Sequence, residues 1–396
     1  MKKLFILLFL FPLQLFGQID LSGIVIDSSS NEPIEFASIY LNGTTIGTIS
    51  NSSGKFLLED AYYPCELIVS HISYNSRSFL IENQASFDSI IILSPKDIII
   101  KEISLKDINL REKNLWLFKT NFLGNDKWGK NAFIENEEAL RFNWEYDTIK
   151  LNFGEKKPSF FDYLHVLEYI DRDINKTKDD TFKTYLVPRR FSTTALDPLR
   201  IQLPLLGYML QYDLKKFNME FNFETDFVMW KYLGYSYFQP INSKSKSLQK
   251  RIIKNRQIAY YNSPQHLNKS MFNKTLRKNG YVVSELVDDS FYNDTFAREV
   301  KPDSCWIFTK NQLKISGYKD RIFHIKYFPN IKGEPINVTN KGGRSFSESQ
   351  MIFMSDTCVI NANGTISDNS VLFKPFIGTK QIGASLPSNY YPENTK

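Results

Sequence analysis

Hydrophobic and polar positions alternate with period two between residues 20 and 93, and turn-rich clusters interrupt the alternation. Residues 21–26 alternate and run into Asp27-Ser-Ser-Ser-Asn31. Pro33 opens a second segment in which Ala37, Ile39 and Leu41 share one face. Asn42-Gly43 is a two-residue hairpin signal with residues 44–50 as the return strand. Asn51-Ser-Ser-Gly54 turns the chain into 55–58, and runs at 65–70, 77–81 and 89–93 follow. About seven short strands at this spacing predict an all-β sandwich, with a Greek-key order, over residues 18–93.

The pattern changes further on. Residues 94–115 read as a connector holding one strand at 98–105, and 116–396 as a larger α+β, mostly β domain. Residues 200–213 predict a strand pair around Pro204 and Gly207; 219–230 and 234–238 each read as a strand. One helix is strongly marked at 264–279. Ser263 suits the N-cap, Pro264 the first turn, Leu267/Met271 and Phe272/Leu276 are i,i+4 pairs, and Gly280 supplies the stop. Residues 116–122 predict a second, short helix. Strands return at 306–315, 322–327 and 350–360, before an Asn363-Gly364 turn.

The first residues predict export. Lys2 and Lys3 precede an almost wholly apolar run from Leu4 to Leu13, and Gly17 offers a small residue before Gln18, so 1–17 reads as a signal peptide. The run is too short to span a bilayer as a helix. The first cysteine is Cys65, so a lipidated N-terminal cysteine is not expected, and the location expected is the periplasm or the outer membrane. Three cysteines allow one disulfide at most; Cys305 with Cys358 is the pair open to it, and three buried thiols are the alternative. The net charge of +6 changes little by itself. Its densest patch does more: Lys244, Lys246, Lys250, Arg251, Lys254 and Arg256, with no acid between them. Two readings stand, a contact with an anion or a membrane surface and a solvated hairpin edge kept from aggregating by its lysines. Nucleic acid is not an expected partner, because no recognition module accompanies the patch.

The order Gly23-x-Val-x-Asp27, Pro33-Ile34, Ala37-Ser-Ile-x-Leu41, Gly47-Thr48 and Gly54-x-Phe56 resembles the carboxypeptidase-regulatory-like domain. The resemblance implies a prealbumin-like sandwich without catalytic residues, of the kind placed at the N-terminus of Gram-negative envelope proteins. Ser73-Tyr74 stands where that family has Gly-Tyr. Three later stretches resemble the downstream region of exported proteins that carry the domain. They are Pro204-Leu-Leu-Gly-Tyr-x-x-x-Tyr-Asp-Leu214, Asn255-Arg-x-x-Ala-Tyr-x-x-Ser-x-x-His-Leu267 and Ser385-Leu-Pro-x-x-Tyr390. Tyr261-Asn262-Ser263 replaces a usual Gly-Ser. The resemblance carries Arg256, Tyr260 and His266 over as a candidate shared site; packing and capping at the helix start is the alternative for all three.

Little catalytic chemistry is written in the chain. His165-Val-Leu-Glu168 spells His-x-x-Glu and His266 is a conceivable third zinc ligand, but so short a motif arises readily by chance. Ser263 and His266 are too close along one helix start for a triad. Asp179-Asp180 and Asp288-Asp289 read as solvated loops. No catalytic residue, metal or cofactor is expected. The expectation is a non-catalytic exported envelope protein that binds a protein, glycan or cell-wall partner. The alternatives are a hydrolase of envelope peptide or glycan and a small outer-membrane barrel, since roughly 280 residues accommodate about 12 strands.

Overall fold

A computed structural model describes residues 19–96, 108–152, 182–222, 227–289, 294–300, 305–329, 346–366, 371–374 and 376–392. Two compact units divide them, the first within Met1–Asn42 and Ile46–Ile98, the second within Gly43–Thr45 and Ile99–Lys396. The proposed signal segment, the strand expected at 98–105, His165, Glu168 and Asp179-Asp180 lie outside the described residues.

The period-two alternation of the first unit folds into β1 (Ile19–Asp27), β2 (Ser38–Leu41), β3 (Gly47–Ile49), β4 (Lys55–Ala61), β5 (Cys65–His71), β6 (Tyr74–Ile81) and β7 (Ile90–Leu93). One sheet runs β4-β1-β7 and the other β3-β2-β5-β6, with β1 and β7 parallel and the other pairs antiparallel. Leu21 and Val25, Ile39 and Leu41, Phe56 and Leu58, Leu67 and Val69, and Ile91 and Leu93 all turn inward into one core, as residues an even number apart on a pleated strand do. Ala37 joins them from the residue before β2. Tyr74 donates its hydroxyl to Asp27 Oδ2 at 2.7 Å, and this bond holds the Asp27 carboxyl below its ordinary range. The two-residue hairpin expected at Asn42-Gly43 is a longer connection: Leu41 N–H closes on the Ile46 carbonyl at 3.0 Å, and the return strand starts only at Gly47.

In the second unit α1 (Ile108–Phe122) and α2 (Lys127–Asn131) precede β8 (Phe133–Ile134), β9 (Leu140–Asn152), β10 (Phe182–Ala195), β11 (Leu199–Leu203), β12 (Tyr208–Asn222) and β13 (Phe227–Pro240). The sheet order is β8-β11-β12-β10-β9, with β13 along the other edge of β12. Phe118 and Phe122 of α1, four residues apart, stack at 4.7 Å and meet Phe217, Tyr212 and Tyr232 edge-on. The opposite face carries a cross-strand charge row, Glu145–Arg190–Glu220–Lys231.

Next come α3 (Lys246–Tyr260), α4 (Pro264–Phe272), β14 (Tyr281–Asp289), β15 (Asp294–Glu299), β16 (Trp306–Phe308), β17 (Gln312–Ser316), β18 (Ile322–Tyr327), β19 (Ser347–Phe353), β20 (Thr357–Asn361) and β21 (Val371–Lys374). They build the sheets β15-β14-β18-β19-β21 and β16-β17-β20 around a second core that takes Leu267 and Met271 from α4. Ala259 of α3 belongs instead to the core under β8–β13. The described strands of this unit thus form three open sheets, not the single closed ring that a small barrel requires. No helix among the described residues is long and apolar enough to cross a membrane, which says nothing of a β-barrel.

Several expected elements differ. The helix expected at 116–122 begins at Ile108, inside the expected connector. The strand expected at 219–230 is split between two strands, since Met219 pairs with Trp230 across the β12–β13 ladder. The runs at 306–315 and 350–360 are likewise two strands each. Asp288-Asp289 end β14, paired with Thr295 and Asp294, and do not lie in a loop. The helix expected at 264–279 stops at Phe272. Thr275 N–H bonds the Ser270 carbonyl and Lys274 N–H that of Met271, a Schellman end with Lys274, at φ +56°, where glycine usually stands. Gly280, at φ +84°, closes a second such turn. The three cysteines are thiols, and β17 lies between β20, which bears Cys358, and the Cys305 segment.

Candidate functional site

The three stretches singled out in the sequence meet on α3 and α4. Ser245 caps α3 by accepting from Leu248 N–H, and its buried side, Ile252, Ala259 and Tyr260, faces the body of the unit. On that side Asn255 Nδ2 donates to the Leu205 carbonyl at 3.0 Å. Arg256 donates Nε to the Leu206 carbonyl at 2.7 Å and Nη2 to that of Gly207 at 3.1 Å. The helix is thereby pinned to the β11–β12 turn through main-chain acceptors.

Asn262 links α3 to α4 at φ +56°, a left-handed conformation that glycine adopts freely and asparagine tolerates. This accounts for an asparagine standing where the resembled region has glycine. Ser263 then accepts from His266 N–H at 3.1 Å with Pro264 in the first turn, so Ser263 acts as the expected cap.

His266, Lys269, Ser270 and Met271 are all buried, so α4 is enclosed on its polar side as well as its apolar one. The His266 ring packs among Tyr260, Tyr261, Tyr281 and Tyr327, with Nδ1 at 3.0 Å from the Tyr281 hydroxyl. Burial, reinforced by Lys380 and Lys269, pushes its pKa down to about 3, so the ring is neutral. Lys269 donates to the Ser388 and Tyr390 carbonyls, each at 3.0 Å, and lies 3.8 Å over the Tyr391 ring. Burial nevertheless pulls its pKa down to about 7. Gln265 donates to the Pro387 and Ser388 carbonyls, and Tyr260 meets the Tyr390 ring edge-on at 5.7 Å. The segment 385–391 is therefore strapped across α4. Lys380 reaches the Ala259 and Tyr261 carbonyls at 3.1 and 2.5 Å, satisfying the C-terminal end of α3; burial lowers its pKa to about 8.

Of the three candidate residues, Tyr260 and His266 are brought together, with ring centres 5.0 Å apart. Arg256 faces the β11–β12 turn instead. Arg256 and His266 make hydrogen bonds, and Tyr260 packs its ring against Tyr261, His266 and Tyr390. His266 is enclosed by tyrosines, and no group of three metal-ligating side chains is found among the described residues. Sequence reasoning missed Lys269, Lys380 and Gln265. Only Tyr390, in the quoted C-terminal stretch, signalled the strap in advance.

The first unit is a β-sandwich domain of a non-catalytic class. Residues 21–105 match the family description of the CarboxypepD_reg-like domain, and the match ends before α1. A search of curated proteins gives no match to the chain.

Proposed function

We propose that this is an exported, non-catalytic protein of the Gram-negative envelope that binds a protein, glycan or cell-wall partner. One observation carries the reading. Three cations of the second unit that would suit chemistry, the buried Lys269 and the partly buried Lys380 and Arg256, donate to main-chain carbonyls: Lys269 ties α4 to the 385–391 strap, Lys380 closes the C-terminal end of α3, and Arg256 ties α3 to the β11–β12 turn. Groups so engaged serve to hold a shape. The match of residues 21–105 to a non-catalytic domain family and the positively charged start and apolar run within residues 1–17 support the same reading.

Fractionation of cells expressing the full chain tests the location: recovery with the periplasm or outer membrane supports export, and recovery in the cytoplasm overturns it. Immobilised mature chain exposed to envelope extract tests the binding. Specific retention of a protein or glycan supports the reading, whereas release of peptide or sugar fragments favours a hydrolase.

A further inference from the structure

The basic run at 244–256 forms a helix, so there is no hairpin edge for its lysines to guard. Lys246, Lys250 and Lys254 fall four residues apart on α3, and Arg251 lies beside them. All four are exposed, as is Lys244 just ahead of the helix. Arg256 is the exception in the run, turned inward onto Leu206 and Gly207.

None of the five outward cations takes part in an ion pair with a described residue. The surrounding sequence offers no neutralising partner either: from Phe227 to Ser284 there is no Asp or Glu. Like charges at i,i+4 oppose helix formation. The helix tolerates them because its other side is fixed by Ile252, Ala259, Tyr260, Asn255 and Arg256. The result is a row of cations without an ion-pair partner among the described residues, about 12 Å from the first lysine to the third at 1.5 Å rise per residue.

Ile258 continues the same stripe and is 42% exposed. A straight row on a convex helix suits a flat anionic array better than a small enclosed anion. An apolar side chain at its end suits the boundary between headgroups and acyl chains. We propose that the exposed face of α3, formed by Lys246, Lys250, Arg251 and Lys254 with Lys244 ahead of it, docks on the anionic headgroups of a membrane leaflet. The apolar side of α3 stays in the protein, so the attachment is peripheral and electrostatic.

This inference rests on the export reading, which places the chain beside an envelope bilayer; binding by pure protein is measured apart from location. The mature chain is sedimented with phosphatidylcholine vesicles, with and without phosphatidylglycerol, at low and high salt. Binding is expected to the anionic vesicles alone and to vanish at high salt. Substituting Lys246, Lys250, Arg251 and Lys254 with Gln together should weaken it by about 600-fold if all four reach the surface, each charge being worth roughly fivefold. A companion variant with arginine at the three lysine positions should bind as the parent does. The proposal is overturned by equal binding to neutral vesicles, by a glutamine variant that folds and binds unchanged, or by retention of a soluble polyphosphate without retention of anionic vesicles.

Discussion

The Arg256 guanidinium carbon lies 4.0 Å from the centre of the Tyr208 ring. The stacking ties α3 to β12 across two of the three stretches that the sequence marked, and the Nε and Nη2 hydrogen bonds complete the joint. Replacing Arg256 with Ala removes two charge-assisted bonds and the stacking, and should cost about 2–4 kcal/mol in urea unfolding. Arg256→Lys should recover less than half, because an ammonium cannot donate twice in the guanidinium plane. A loss below about 0.5 kcal/mol for the alanine variant would show that the joint carries no weight.

Gly207 sits in the same turn at φ +64°, and a Cβ there would meet Ile252 Cδ1 at 2.8 Å. Gly207→Ala should therefore destabilise by about 1–2 kcal/mol from the left-handed backbone alone. Equal stability of the variant in thermal unfolding would contradict this account.

His266 is neutral in the fold, with a pKa of about 3 against an ordinary 6.5. As pH falls below 6.5 the unfolded chain takes up this proton first, so the contribution of His266 is present above that pH and is lost towards about pH 3. His266→Gln cannot take up the proton. Its stability should fall less steeply than the parent's over that window, and parallel curves would refute the assignment.

Lys269 works in the opposite pH range. Its pKa of about 7, against an ordinary 10.5, means that the folded protein releases the proton first as pH rises. Stability should increase between about pH 7 and 10.5, with Lys380 adding to the rise from about pH 8. Lys269→Met should lose much of this rise. It should also remove the Lys269 bonds to the Tyr390 and Ser388 carbonyls, with Gln265 still donating to Ser388, which loosens the strap and speeds proteolysis near the C-terminus. Unchanged cleavage and an unchanged pH slope would count against the strap.

The early end of α4 makes a contrast between two leucines. Leu267 is fully buried, whereas Leu276, beyond the helix end, only packs against the rim of the core. Leu267→Ala should cost about 2–5 kcal/mol and Leu276→Ala clearly less, as read from denaturant midpoints. Equal losses would mean that the helix continues through Leu276.

Local codes account for much of the molecule. Ser263, Pro264, Leu267 and Met271 announced the start and buried face of α4, and the alternation around Ala37, Ile39 and Leu41 announced the sandwich. Where a local signal was weak or misleading, the reading slipped. Lys274 took a backbone position that usually marks itself by glycine, so the end of α4 was hidden. Residues 108–115 of α1 lack the apolar repeat that marks 116–122, and the basic run of α3 looked like an edge because its buried positions are few.

The sequence by itself determined the sandwich, the cap of α4 and the charge of the 244–256 run, because each depends on neighbours a few residues apart. Only the tertiary structure decided that Arg256 turns inward while Lys246, Lys250 and Lys254 face out, and that Lys269 lies against Ser388 and Tyr390. Those outcomes depend on which surfaces are removed from water when segments fifty to more than a hundred residues apart pack together. A buried ammonium holding main-chain carbonyls leaves no periodic trace in the chain, since the acceptors are present at every residue and only the fold selects which of them it meets.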